Sequence, residues 1–487
     1  MFKLRNIFSI DLRSLALFRI TIGSLVLMDL SIRSRDLTAH YTDSGIMPRS
    51  LLASSFGAAV DTSLYMINGT ETAAILLFLA TAMAALAVIL GLHTRIATFL
   101  VWVLLISLHN RNTLIEHGAD VILRMMFFWS VFLPLGSKWS LDAMRRSATS
   151  KHDSIKHGSI YSFASAALLL QIVFIYWFTA VLKSGEQWHS QGNAVYMVLS
   201  ANQYTSEIGE FFVTWLRQHQ SIVPFLTRAS FNTELIAATL LLVPLFSGSL
   251  RNMAIFLIAG LHLGIALYLD LGMFPWVDLA TLIPFIPSSF WQMFSKSKGD
   301  DDILVAKNSS RHLIWNSLAQ LIVVCSFTAV TFGNLTTVPQ LNLTAPSWFT
   351  DTLRLFRLDQ RWAMFAPDPI DFGGWFVMSG KLADGRQIDP FRLRGTEAPS
   401  WDKPRLVSST YRNERWRLIL TAMSIADFQS YRDVFMSYIC RNWNQTHSKA
   451  QRMSTLEVYF MRETTALDYK IPEPKKELMS QRQCDGA

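Results

Sequence analysis

The stretch 174-FIYWFTAVLKSGEQW-188 decides how the chain is read, because an apolar helix of aromatic and branched residues ends on Lys183 and runs straight into a polar loop. Two readings fit those residues. A lysine at a bilayer boundary can stretch its apolar stem along the helix and leave its ammonium in the headgroups. Alternatively, Tyr176, Thr179 and Lys183 fall on one helical stripe, and an ammonium withdrawn from water there gives up its proton more readily, which makes it a usable base.

The composition around that helix is that of a membrane protein. Of 487 residues 51% are hydrophobic and 12% aromatic, only 16% are charged, and the mean hydropathy is +0.27; soluble domains carry roughly 25% charged residues. Hydropathy predicts spans near 14–31, 73–91, 95–109, 119–136, 161–183, 233–247, 252–270, 274–291 and 312–332. The eighth holds three prolines and becomes eight spans in total if it is re-entrant. The fold class is therefore an α-helical polytopic membrane protein of about eight or nine transmembrane helices (1–332), followed by a small α+β extracytoplasmic domain (333–470) and a disordered tail (471–487). Strand-like residues flanking Asp384-Gly385 predict a hairpin in that domain.

The net charge of +8 is spread between the apolar segments, which argues against nucleic acid. With the N-terminus inside, thirteen Lys and Arg fall in cytoplasmic segments and six in the short external ones, so the bias predicts that the C-terminal domain lies outside. The N-terminal apolar run reads as a retained signal anchor. Cys325, Cys440 and Cys484 have no metal-ligand spacing, so no metal site is expected and a Cys440–Cys484 bridge stays open. The lack of a clear disulfide set leans toward a bacterial inner membrane.

Ionisable residues inside spans either pair or line a polar cavity. Asp120 and Arg124, at i and i+4, are expected to neutralise each other, with Arg19, Asp29 and Asp278 as further members of a buried network. His262 lies mid-span, with Asp270 the next polar residue on its face; it is read either as a bonded core residue or as a catalyst. The turn after the third span crowds His109, Asn110, Arg111, Asn112, Glu116 and His117, which is more polarity than helix capping requires.

The pieces YTDSGIMPR (41–49), HNRNTLIEHGAD (109–120), FLPLGSKWSLD (132–142), YWFTAVLKSGEQW (176–188), LGMFPWVDLA (271–280) and QRWAMFAPDP (360–369) together resemble the HTTM family, the membrane module shared with the vitamin K-dependent gamma-glutamyl carboxylase. The resemblance implies a lyase-like enzyme with a reduced vitamin K-type naphthoquinol as cofactor and O2 and CO2 as co-substrates. Lys183 would be the base toward the quinol, His262 and His109 catalytic, and Tyr176, Asn110, Arg111 and Trp188 cofactor-binding. The carboxylase carries a histidine about where this chain has Arg111, and its lumenal region is longer. Besides the lipid bilayer, an exported polypeptide is the implied partner. The competing readings are an HTTM protein that matures or exports a secreted peptide without carboxylation, and a transporter, for which repeated broken halves are missing from the sequence.

Overall fold

The computed structural model describes residues 2–56, 62–149, 158–243, 247–294, 303–305, 313–392, 397–425, 429–470 and 473–484. Five helices among them are long and apolar enough to cross a membrane: Leu12–Ser34, Glu71–Leu90, Phe163–Leu182, Gly248–Tyr268 and Ser317–Thr336. Each starts or stops for a local reason. The Asp11 carboxylate accepts from the Arg13 amide at 2.8 Å and caps the first helix. Ser162 and Ser165 form a reciprocal capping box at the start of the third. Gly91 ends the second at φ 67°, where a Cβ would collide with the Arg19 guanidinium.

The other apolar segments are shorter or interrupted. Gly118–Ser130 has only 13 residues. The segment after Val223 is broken by a π turn, Thr233–Ala237. Near 274–291, Pro275 is tolerated in the first turn of Phe274–Thr281, whereas Pro284 and Pro287 fall where the chain passes through a 3₁₀ turn into the separate helix Ser288–Gln292. A mostly helical membrane protein is thus established, with five helices of spanning character among the described residues, where hydropathy drew eight or nine.

The five are not equivalent. The most apolar window of Phe163–Leu182 is 78% buried by protein and that of Ser317–Thr336 only 17%. A helix that is apolar all round and enclosed by its neighbours is the centre of a bundle, whereas one that protein leaves uncovered faces lipid.

Beyond the last long helix the chain forms an antiparallel four-stranded sheet, in spatial order Gln387–Ile388, Phe372–Leu382, Met453–Thr464, Lys475–Gln483. The hairpin falls at Asp384-Gly385, with Gly385 at φ 89°. Helices Glu414–Met423 and Gln429–Thr446 pack beside it, and a Cys440–Cys484 disulfide ties the longer one to the end of the last strand. The expected disordered tail needs correction here: Lys475–Gln483 is a strand hydrogen-bonded to Met453–Thr464, while 471–472 and 485–487 lie outside the described residues. Its polar sequence suits an edge strand that is mostly exposed.

Candidate functional site

The central helix carries the opening lysine. Its last turn closes with the Lys183 amide donating to the Ala180 carbonyl at 3.2 Å, and the chain then turns sharply. Lys183 does not snorkel. Its side chain is 3% exposed, and the ammonium donates to both Glu234 carboxylate oxygens at 2.6 Å. The Trp188 ring centre lies 4.3 Å from Nζ. Glu234 sits in the π turn, where the extra residue per turn marks a helix under a local demand.

A second motif holds this loop in place. Trp188 Nε1 donates to the Phe365 carbonyl at 2.9 Å, the Gly185 amide to the Pro367 carbonyl at 3.1 Å, and the Gln187 amide to the Asp368 carboxylate at 2.9 Å. Segments 176–188 and 360–369 therefore fit together as one clasp around Lys183.

One and two turns back along the stripe, Thr179 spends its hydroxyl on the Ile175 carbonyl, but Tyr176 reaches His262, with Oη and Nε2 3.1 Å apart. His262 Nδ1 lies 3.7 Å from the Asp278 carboxylate. All three side chains are buried, and neither Asp278 carboxylate oxygen nor His262 Nδ1 has a hydrogen-bond partner among the described residues. Tyr176 lies two turns back from Lys183 on the same helical stripe, so the Lys183–Glu234 pair and the Tyr176–His262–Asp278 group share one helix face and make up the lysine centre.

His109, Asn110 and Arg111 belong to a different network. His109 Nδ1 is 3.1 Å from Arg124 and its Nε2 is 3.7 Å from Asp120. Asn110 donates to Thr62 at 2.6 Å, and Arg111 donates to the carbonyls of Met47 and Thr42 at 2.8 and 2.9 Å, stapling the 41–49 loop. The expected Asp120–Arg124 pair is not what forms. Asp120 takes Arg33 and Arg415, each at 2.6 Å, and Arg124 takes Glu116 at 2.6 Å. Arg33 and Arg415 also hold Asp29, at 2.6 and 2.8 Å. A guanidinium 295 positions along the chain outcompetes one a single turn away because its fork can meet two carboxylates at once. Of the remaining expected members, Arg19 donates to the Trp139 carbonyl, and Asp278 lies in the lysine centre.

Burial alone would raise the Glu116 carboxyl, but Arg124 and Arg357 beside it hold it down to about 2. Asp29, His109 and Asp120 present their polar atoms within 4.8 Å of one another, a spacing that a metal could use. Two guanidinium groups already occupy the carboxylates, so the chemistry of this donor set is that of an ion cluster, not of a cation site.

The two centres touch through packing. The Phe274 ring lies 6.2 Å from that of His262, and on its other side it approaches Gly118 so closely that a Cβ there would stand 3.0 Å from it. A cavity of about 310 Å³ opens beside the arginine network, lined by Glu116 and Arg124; Lys183, Tyr176 and His262 are not among its lining residues.

The structure thus brings Lys183, Trp188, Tyr176 and His262 together and sets His109, Asn110 and Arg111 apart. Sequence reasoning missed Glu234, which reads as the start of a hydropathy span, and did not place Asp278 against His262. The one available signal was the cost of a carboxylate in each apolar segment. No curated protein and no solved structure matches the chain. The HTTM domain matches residues 8–291, more than half of the chain, and takes in both buried centres except for their contributions from the C-terminal region; the chain belongs to the HTTM family.

Proposed function

We propose that the chain is a membrane enzyme of the vitamin K-dependent carboxylase type, acting on a reduced naphthoquinone drawn from the bilayer and, through it, on glutamate side chains of an exported polypeptide. In this reading it sits in a bacterial inner membrane with the C-terminal domain outside. The observation that carries it is a buried ion pair, Lys183–Glu234, with a histidine Nδ1 (His262) and a carboxylate (Asp278) that have no hydrogen-bond partner among the described residues. Buried acceptors left open are rare, and a ligand with hydroxyl donors fits them. The residues present therefore suit a quinol.

A reduced quinone bound here would supply the electrons that reduce O2, and so drive removal of a glutamate γ-proton and addition of CO2. The chain's own groups prepare that chemistry. Lys183 Nζ and the Glu234 carboxylate share a 2.6 Å hydrogen bond, a path along which a proton can move from the amine to the carboxylate. Lys183 Nζ then accepts a hydroxyl proton. Asp278 receives a second hydroxyl, while His262, bonded to Tyr176, keeps its ring fixed. The apolar helices keep bulk water from quenching a strong base.

One observation favours a second reading: the bidentate Glu234 contact satisfies Lys183 as a static clamp, as a non-carboxylating HTTM protein for maturation or export of a secreted peptide would allow. The test is O2-dependent conversion of a reduced naphthoquinone to its epoxide by the purified protein in lipid, with wild type beside Lys183→Ala and Glu234→Gln. Epoxide from wild type alone, with all three proteins equally helical by circular dichroism, is expected. No epoxide from folded wild type across several quinols sinks the enzyme reading and promotes the second.

A further inference from the structure

The cavity of about 310 Å³ beside the arginine network has a composition that neither buried centre explains. It is lined by the C-terminal end of the lipid-facing helix (Val330, Asn334, Thr337), by the short helix Ser347–Leu355, and by the loop that follows. Arg124, Arg354, Arg357 and Arg361 line it against Glu116 and Asp359, an excess of positive charge. Asp351 lies 3.8 Å from Arg354 at its edge. Arg354 and Arg361 are exposed.

The buried atoms of this cavity are unevenly satisfied. Arg357 is 7% exposed and gives one end of its fork to Glu116, but its Nε has no partner among the described residues. Asn334 is fully buried; its amide nitrogen donates to Val330 within its own helix, and its Oδ1, like Asp359 Oδ1, has no partner among the described residues. These atoms are closed off from solvent, so what the cavity offers a ligand is the exposed guanidinium groups of Arg354 and Arg361 with Arg357 behind them, which suit an anion.

The position narrows the occupant further. The cavity lies at the end of a helix whose spanning window protein leaves mostly uncovered, and Trp348, Leu355 and Phe356 on or beside the short helix are exposed, as side chains at a membrane–water interface are. Leu318, Leu321, Ile322 and Val324 of the same long helix expose an apolar face on which acyl chains can lie. We infer that this cavity is a headgroup site for an anionic phospholipid, whose phosphate meets Arg354 and Arg361 with Arg357 behind them. The assignment is independent of the quinol chemistry.

The full chain, purified in detergent and exchanged into bilayer discs of phosphatidylcholine with or without phosphatidylglycerol, is stripped of loosely held lipid and read by native mass spectrometry. Phosphatidylglycerol should be retained about tenfold over phosphatidylcholine, and Arg354→Gln/Arg361→Gln should reduce phosphatidylglycerol retention about twenty-five-fold, from about fivefold per arginine. Both arginines are exposed, so the fold should survive, and Arg354→Lys/Arg361→Lys should restore most of the retention. Equal retention of the two lipids, or no effect of the glutamine pair, overturns the site. Displacement by millimolar inorganic phosphate as readily as by short-chain phosphatidylglycerol shows that no headgroup is read, and displacement by a glutamate-rich peptide at micromolar concentration assigns the cavity to acidic peptide; either result also overturns it.

Discussion

The two buried carboxylate centres are built on opposite terms. In the Asp29–Asp120 centre every carboxylate oxygen accepts from an arginine. In the lysine centre Glu234 is paired on both oxygens, but Asp278 has a hydrogen-bond partner on neither. Burial costs both centres the hydration of their charges, and only the first recovers it in full. A saturated network has no capacity left for a ligand, so its role is to hold elements together. An unsaturated one carries a standing cost that a bound ligand can relieve. This contrast supports placing the chemistry at Lys183, His262 and Asp278.

The largest effect that would test the contrast is on the saturated side. Arg415 comes from the C-terminal region and reaches two carboxylates of the membrane helices. Arg415→Met leaves those carboxylates to Arg33 alone, and the expected loss is about 3–5 kcal/mol, read as a large fall in the apparent unfolding temperature in detergent and early proteolysis after residue 337. A variant that melts with wild type would mean that this network is not what joins the two regions.

A smaller effect depends on pH. Burial, with Arg33, Arg415 and Arg412 facing it, pushes the His40 imidazole down to about 3; neither ring nitrogen has a hydrogen-bond partner among the described residues, and the ring lies against Trp416. An unfolded chain binds a proton there below about 6.5 and the folded one does not, so stability is fully present above that pH and is lost as the pH falls from about 6.5 toward about 3. At pH 5 the loss is about 2 kcal/mol. His40→Phe keeps the aromatic contact and should remove about that much of the fall in stability between pH 6.5 and 5, leaving the share of the other buried histidines. Glu116 does not confuse that window, since its contribution is lost only below the ordinary glutamate range, as the pH falls toward about 2. Parallel profiles for wild type and variant would remove His40 from the account.

How much of this was legible in the sequence follows from the range of each interaction. The long apolar helices, the Asp384-Gly385 hairpin and the Tyr176–Lys183 stripe depend on spacing within one element and stand in the structure, whereas the segments near 233–247 and 274–291, read as single spans, are broken by a π turn and by prolines. Partners do not. Asp120 has Arg124 one turn away and yet pairs with Arg33 and Arg415, because a forked donor bridging two carboxylates is worth more than a surface-type i,i+4 contact. On its own residues Lys183 read first as a snorkel and second as a base, and Glu234, 51 positions on, removes the first option. The disordered-tail reading failed for a similar reason: KKELMSQRQ has little apolar residue of its own, and its order comes from pairing with Met453–Thr464 and from the bridge at Cys484.

The smallest change in stability is expected where the largest change in chemistry is proposed. Asp278→Asn keeps the shape of the side chain and breaks no hydrogen bond of the carboxyl group among the described residues, so the apparent unfolding temperature should stay level, within about 1 kcal/mol. Asp120→Asn, the same edit in the saturated centre, breaks arginine contacts and should cost about 3 kcal/mol. In the lysine centre the price appears elsewhere: without the carboxylate, His262 Nδ1 loses its neighbour and an incoming hydroxyl loses its acceptor, and quinol turnover should drop about a hundredfold. Measured side by side, equal destabilisation by the two edits would show that Asp278 is bonded as fully as Asp120, and the distinction between the centres would collapse. A stable Asp278→Asn protein with unchanged turnover would keep the distinction but move the chemistry away from His262.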